Sequence, residues 1–233
     1  MFEDNLDNVR RLISQSVNNR REEKVTGSSV TLVAVSKAQP ADALAEALAA
    51  GITIFGENKV QEASEKIPLV GGGQWHLVGH LQSNKVKKAI SLFDLIYSID
   101  SLKLLRAVAE QADRQAKRQE LLLQVNIARE KGKSGFTLAE LPEAAALACR
   151  LPNIRLRGLM VLAPETDDAE QVRPVFRDGY EAFRALPDCC PDCRPDILSM
   201  GMSGDFTVAI EEGANNVRIG TLLFGKRVYS QLL

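Results

Sequence analysis

The chain has 233 residues, 45% of them hydrophobic and 25% charged, enough apolar material for a packed core and too much for intrinsic disorder. Lys and Arg total 29 against 30 Asp and Glu, a formal net charge of −1, which removes the electrostatic reason to expect nucleic acid or an anionic membrane as the main partner. The richest apolar stretch, Ala43 to Phe55, is interrupted by Glu46 and Gly51, and Glu3, Asp4 and Asp7 precede Arg10 and Arg11; neither a membrane span nor a secretory signal is expected, and the reading is of a soluble cytoplasmic protein.

A helix is expected first, over about Asn5 to Asn19. Thr31 to Lys37, Thr-Leu-Val-Ala-Val-Ser-Lys, reads as a buried parallel strand, apolar on both faces. Pro40 opens a helix with Leu44 and Leu48 on one stripe, and Gly51 closes it. The alternation then repeats. Strands are expected at Thr53 to Gly56, Trp75 to Gly79, Leu95 to Ile99, Leu121 to Ile127, Arg155 to Leu162, Asp196 to Met200 and Asn216 to Ile219. Helical stretches fall near Val60 to Ile67, Lys85 to Leu92, Leu102 to Lys117, Leu138 to Cys149, Ala169 to Leu186 and Phe206 to Glu212. Strict βα alternation implies parallel pairing with right-handed crossovers. Eight units suggest a closed (β/α)8 TIM barrel with an extra N-terminal helix, one α/β domain over residues 1–233. A doubly wound sheet is the competing architecture, but no Gly-x-Gly-x-x-Gly follows the first strand.

Cys149, Cys189, Cys190 and Cys193 are the cysteines. Cys190-Pro-Asp-Cys193 has redox or half-zinc spacing, yet the only histidines, His76 and His80, lie far away in sequence; reduced thiols in a loop are expected, with no metal.

Barrels gather ligand groups at the C-terminal ends of their strands. Those ends carry Lys37, Glu57-Asn58, His80, Asp100, Asn126, Met202-Ser203 and Arg218 to Thr221. Lys37 closes a run of apolar and small residues and shares strand parity with Val33 and Val35. An amine held there is partly desolvated, which lowers its pKa and readies it for attack on an aldehyde; snorkelling to water is the plainer alternative. Ser199-Met-Gly-Met-Ser203 and Val217-Arg-Ile-Gly-Thr221 place glycines and hydroxyls before helices after strands seven and eight. A phosphate dianion requires that combination, although Gly and Ser also simply make turns. His76 has the opposite parity to Trp75 and Leu77 and reads as structural.

With these segments in view, the sequence resembles the pyridoxal phosphate homeostasis protein family, whose fold is that of the alanine racemase barrel domain. The matching segments are Val33 to Lys37, Phe55 to Glu62, Trp75 to Lys85, Gly132 to Phe136, Arg157 to Met160, Ser199 to Phe206 and Val217 to Gly225. The resemblance implies pyridoxal 5′-phosphate as cofactor, held as an internal aldimine on Lys37. Ser203, Gly220 and Thr221 match the phosphate cup, and Met202 is placed with them among the cofactor-binding residues. Arg218 matches the arginine facing the pyridine nitrogen, and Asn58 and His80 match residues beside the ring.

It also implies a protein that buffers or delivers the cofactor, not an enzyme. A guanidinium at the ring nitrogen disfavours a second positive charge there and weakens the electron sink. The resembling racemases take their second acid–base group from a further β domain, whereas only Lys226 to Leu233 follow the last motif here. The alternative is a residual racemase-like enzyme. Transient contact with apo-enzymes that use the cofactor is the expected protein partnership, and a monomer the expected state. Gly132-Lys133-Ser134 imitates the end of a P-loop, but Ile127 stands where that consensus needs glycine; Lys133 is expected instead to attract anions near the mouth. Lys85, Lys87 and Lys88 form either a solvated helix face or a docking patch for client apo-enzymes.

Overall fold

Eight short strands pair in chain order, the first with the last, and so close a parallel barrel in the computed structural model of the protein. The structure describes residues 1–128, 134–189 and 193–225. The strands are β1 (Thr31–Val35), β2 (Ile54–Glu57), β3 (Gln74–Leu77), β4 (Leu95–Ile99), β5 (Gln119–Val125), β6 (Ile154–Val161), β7 (Ile197–Ser199) and β8 (Asn216–Ile219). Around them run α1 (Phe2–Asn18), α2 (Ala41–Ala49), α3 (Val60–Val70), α4 (Val86–Leu92), α5 (Leu102–Arg114), α6 (Leu141–Arg150), α7 (Arg173–Arg184), α8 (Leu186–Cys189), α9 (Phe206–Glu211) and α10 (Thr221–Phe224). The expected barrel is therefore the observed one. The long helix expected from Ala169 to Leu186 is instead a 3-10 turn, Ala169–Val172, followed by α7 and the short α8. Pro174 in the first turn of α7 sits where its missing N–H costs nothing.

Strand parity sorts the side chains. Val33, Leu95, Tyr97, Leu122 and Met160 fill the barrel interior with Ile54, Val78, Leu162 and Ile197 around them. Their neighbours Ala34, Phe55, Trp75, Leu77, Ile96, Leu121, Leu123, Leu159 and Val217 point outward into a larger core under the helices. That double burial is why the strands read as apolar on both faces. α1 buries Leu6 and Val9 and packs against α9 and α10, with Phe2 and Phe224 rings 5.3 Å apart and Asn5 donating to the Leu223 carbonyl at 3.0 Å. The N-terminal helix thus fills out the helical ring beside the four-residue α10.

The rim at the strands' N-terminal ends is closed by ions. Arg157 makes a fork onto Asp196 with both bonds at 2.7 Å and also pairs with Glu120, which accepts from Arg155 at 2.9 Å. At the same rim the cysteine expectation is corrected. Cys149 at the end of α6 and Cys193 ahead of β7 form a disulfide with a Cα–Cα distance of 6.3 Å. They are 44 residues apart, and only the packing of α6 beside α8 brings them together. Cys189 is not disulfide-bonded, and Cys190 lies outside the described residues. Among the described residues no helix is long and apolar enough to cross a membrane, and no cluster of His, Cys, Asp or Glu is arranged to hold a metal.

Candidate functional site

The opposite rim collects the polar strand ends. β1 stops at Val35, so Lys37 lies in a turn just beyond it, half-buried. Ser36 is fully buried; its N–H donates to the Gly56 carbonyl at 2.9 Å and its carbonyl accepts from Gln39 at 3.0 Å. The next residue, Ala38, adopts φ +61°, a left-handed conformation that is uncommon for a residue with a Cβ.

An ionic cluster stands beside that turn. Ser36 Oγ donates to Glu57 Oε1 at 2.8 Å; Lys66 Nζ donates to the same oxygen at 2.9 Å, to the Ser36 carbonyl at 2.7 Å and to Glu62 Oε1 at 2.5 Å. Glu62 Oε1 also accepts from the Ala38 N–H at 2.6 Å. Glu57 is wholly buried, and its Oε2 has no hydrogen-bond partner among the described residues. Burial lifts its pKa above the usual carboxylate range, against the hydrogen bonds and charge of Lys66 and the bond from Ser36. Burial also opposes charge on Glu62, but the bonds from Lys66 and Ala38 outweigh it and hold its pKa below the usual range.

Asn58 follows β2, half-buried. Gly79 passes so close that a Cβ there would lie 2.3 Å from the Asn58 carbonyl oxygen, so only glycine admits this approach. His80 sits on the open rim: its side chain is 58% exposed, and its Nδ1 is 3.2 Å from Asp100 Oδ2, a carboxylate only 10% exposed.

Across the mouth, the loops after β7 and β8 are built from backbone. Gly201 takes φ +91°, and a Cβ there would come within 2.7 Å of Phe206 Cα. Its carbonyl accepts from the Arg218 N–H at 3.1 Å. The Met202 N–H donates to Asp205 Oδ1 at 2.6 Å, and the Met202 carbonyl accepts from Asp205 and Phe206, at 3.1 and 2.9 Å. Burial raises the Asp205 pKa, against the Met202 bond and the charge of Arg218. Ser203 Oγ accepts from the Leu222 N–H at 3.5 Å, tying the two loops together. Gly220 lies against Lys37's strand, where a Cβ would stand 3.2 Å from the Val35 carbonyl oxygen. Thr221 opens α10 exposed, and the Met202 side chain is 43% exposed.

Beneath the mouth a polar column fills the interior. Arg218 is buried and donates to Ser199 Oγ at 2.6 Å and to the Val161 carbonyl at 3.1 Å. Burial pulls its pKa down to about 10, so it remains a cation at neutral pH. Tyr97, wholly buried, donates to Asn216 Oδ1 at 3.3 Å, which leaves its oxygen to accept from His76 Nδ1 at 3.0 Å. Burial raises the Tyr97 pKa and lowers that of His76 to about 4. His76, of opposite parity to the outward Trp75 and Leu77, thus points into the barrel interior.

The fold therefore brings Lys37, Asn58, Ser203, Arg218, Gly220 and Thr221 to one opening, since β8 pairs with β1 and β1 with β2. It sets His80 and Met202 on the exposed edge of that opening. Gly132 and Lys133 lie outside the described residues. Glu57 and Glu62 belong to a segment quoted for its resemblance, but their partnership with Lys66 was not foreseen. The i,i+4 spacing of Glu62 and Lys66 on α3 was its one sequence signal. A primary amine, a buried cation and a cradle of amides and hydroxyls suit a ligand that carries both a carbonyl and a phosphate.

The alanine racemase N-terminal domain model matches residues 13–228. The pyridoxal phosphate homeostasis protein of Escherichia coli K12 is 44% identical over 208 residues, covering 87% of this chain and 88% of that protein. The protein of the same name from Pasteurella multocida is 38% identical over 234 residues, covering 99% of each chain. Among solved structures, PipY of Synechococcus elongatus with PLP bound is 36% identical with a TM-score of 0.83, covering 97% of this chain and 100% of that one. An alanine racemase from Corynebacterium glutamicum, 16% identical with a TM-score of 0.72 over 99% of this chain and 64% of that one, shares the fold.

Proposed function

The chain belongs to the pyridoxal phosphate homeostasis proteins, built on the alanine racemase N-terminal domain, and from that premise we propose that it binds pyridoxal 5′-phosphate and buffers or delivers it without catalytic turnover. The observation that carries this reading is half-buried Lys37 just past β1, with Gly220 and Thr221 following β8, the strand that pairs with β1. When bound, the coenzyme supplies an aldehyde and an electron-accepting pyridine ring. Lys37 would hold it covalently, its amine joining the aldehyde carbon with loss of water. Ser203, Gly220 and Thr221 would hold the phosphate with Met202 beside them, and Asn58 and His80 would border the ring. Arg218 would face the ring nitrogen, where its retained charge would disfavour protonation and weaken the electron sink that turnover needs.

A racemase-like activity is the competing reading, favoured by the shared barrel. It requires a second acid–base group across from Lys37. Tyr97 is sealed in the barrel interior and Tyr180 lies in the helical layer, where its hydroxyl accepts from the Val25 N–H at 3.0 Å. Neither is at the mouth; Tyr229 lies outside the described residues, and His80, beside Asp100, is the mouth residue that this reading would have to use.

The reading extends to a single barrel domain over residues 1–233, a monomer in the cytoplasm, with client apo-enzymes as transient partners. Exposed Lys85, Lys87 and Lys88 provide the docking patch; charge reversal there slows transfer to an apo-enzyme.

The test is a spectrum of the protein with pyridoxal phosphate before and after borohydride, then peptide mapping. A yellow species fixed on Lys37 is expected; a colourless protein with unmodified lysines overturns the reading. Exchange of the α-proton of a single-enantiomer amino acid, lost in Lys37→Ala, would replace the carrier with the enzyme.

A further inference from the structure

We infer that the buried cluster of Glu57, Glu62 and Lys66 is a positioning device for Lys37, a clamp on both of its backbone neighbours that aims its amine across the mouth. The inference rests on the coenzyme reading above and deepens it.

Lys66 holds the carbonyl of Ser36, the residue before Lys37, at 2.7 Å, and Glu62 holds the N–H of Ala38, the residue after it, at 2.6 Å. The two grips are themselves an ion pair at 2.5 Å. Glu57 anchors the pair from the barrel wall, accepting from Lys66 at 2.9 Å and from Ser36 Oγ at 2.8 Å. The turn so held is one the chain would not choose, because Ala38 stands at φ +61°. Such conformations persist where the surroundings over-determine them.

Stability alone does not account for this arrangement. Taking charges out of water is costly, and well-packed apolar residues serve a core at least as well as a buried ion pair. Here the cost is incomplete in its return, since Glu57 Oε2 is left buried without a hydrogen-bond partner among the described residues. The cluster lies against one turn of the barrel, the one that carries Lys37. Positioning matters for a reaction between an amine and a carbonyl whose distant phosphate is already anchored, because the reacting atoms must meet at a fixed separation and angle.

Glu62 is the member to vary, because its side chain is 26% exposed against 11% for Lys66 and 0% for Glu57. Glu62→Ala removes the grip on Ala38, while Glu62→Gln retains an oxygen for it. Two quantities decide the matter. The first is hydrogen exchange of the Ala38 amide in cofactor-free protein; the second is the rate at which pyridoxal phosphate is fixed on Lys37, by borohydride quench and peptide mass. Acetylation of Lys37 by acetic anhydride, which is indifferent to orientation, is the control.

In Glu62→Ala, Ala38 exchange should rise at least about tenfold and coenzyme capture fall on the order of 10- to 100-fold. Acetylation should hold, and Glu62→Gln should recover most of the capture rate. Lys66→Met should reproduce the capture defect from the other grip. Equal capture by wild type and Glu62→Ala, or a loss of capture matched by equal loss of acetylation, overturns the clamp and leaves the coenzyme reading standing. A wild type that fixes nothing on Lys37 removes the coenzyme reading, and the clamp falls with it.

Discussion

The two sides of the barrel mouth are positioned by different means. On the β1–β2 side, side chains do the work: a buried lysine between two carboxylates grips the turn that carries Lys37. On the β7–β8 side, main chain is held by local bonds: Gly201 in a left-handed conformation, an Asp205 carboxylate on the Met202 amide, and the Leu222 amide on the Ser203 hydroxyl. The division follows the chemistry each side serves. A flexible four-carbon amine needs external restraint to meet one carbon atom, whereas a dianion is satisfied by several weak donors that converge from fixed main chain. Substitutions on the first side should therefore slow capture, and those on the second should weaken retention of the phosphate.

The largest effect expected is the sharpest test of that division. Lys37→Ala should abolish borohydride-fixed coenzyme entirely, yet leave some reversible affinity for the phosphate ester, measured by equilibrium dialysis. If neither survives, the two sides are not independent.

The His76–Tyr97–Asn216 part of the interior column should behave as a control, since it affects stability without distinguishing the two sides. His76 is neutral in the folded protein, with a pKa lowered to about 4 from 6.5. Between those values the unfolded chain binds the extra proton, so this contribution is complete above about pH 6.5 and lost as the pH falls toward 4. In urea melts, wild type should lose up to about 3 kcal/mol more than His76→Gln over that window. Parallel acid limbs in the two proteins would count against a buried neutral imidazole.

Gly201→Ala should lower stability by about 1–3 kcal/mol, because it forces a side chain into a left-handed conformation against Phe206. Retention of pyridoxal phosphate should drop while uptake of unphosphorylated pyridoxal stays unchanged, a contrast that calorimetry can read. Ser203→Ala, the mildest change, should cost about 1 kcal/mol of phosphate affinity and nothing in capture rate. A slower capture by Ser203→Ala would blur the separation between the sides.

Much of this architecture is legible in the chain. Apolar runs such as Leu121–Leu123, buried on both faces, announce parallel strands, and β4 and β8 fall where they are expected. The gathering of Lys37, Ser203, Arg218, Gly220 and Thr221 toward one end of the barrel was legible because strand ends in a barrel converge whatever their separation in sequence. His80 was reachable as a strand-end residue too, but nothing in its neighbours foretold that it would lie open to solvent and paired with Asp100.

Local pattern thus specifies periodicity, burial on two faces and the turns where strands end, because these depend on neighbours within a few residues. Contacts between distant segments answer to packing instead. The union of Lys66 with Ser36 across 30 positions, the Cys149–Cys193 bridge and the Tyr97–Asn216 bond across 119 are settled by which elements the closed barrel sets side by side. A polar side chain cannot declare its partner in the sequence, because burial chooses that partner only when the fold is complete.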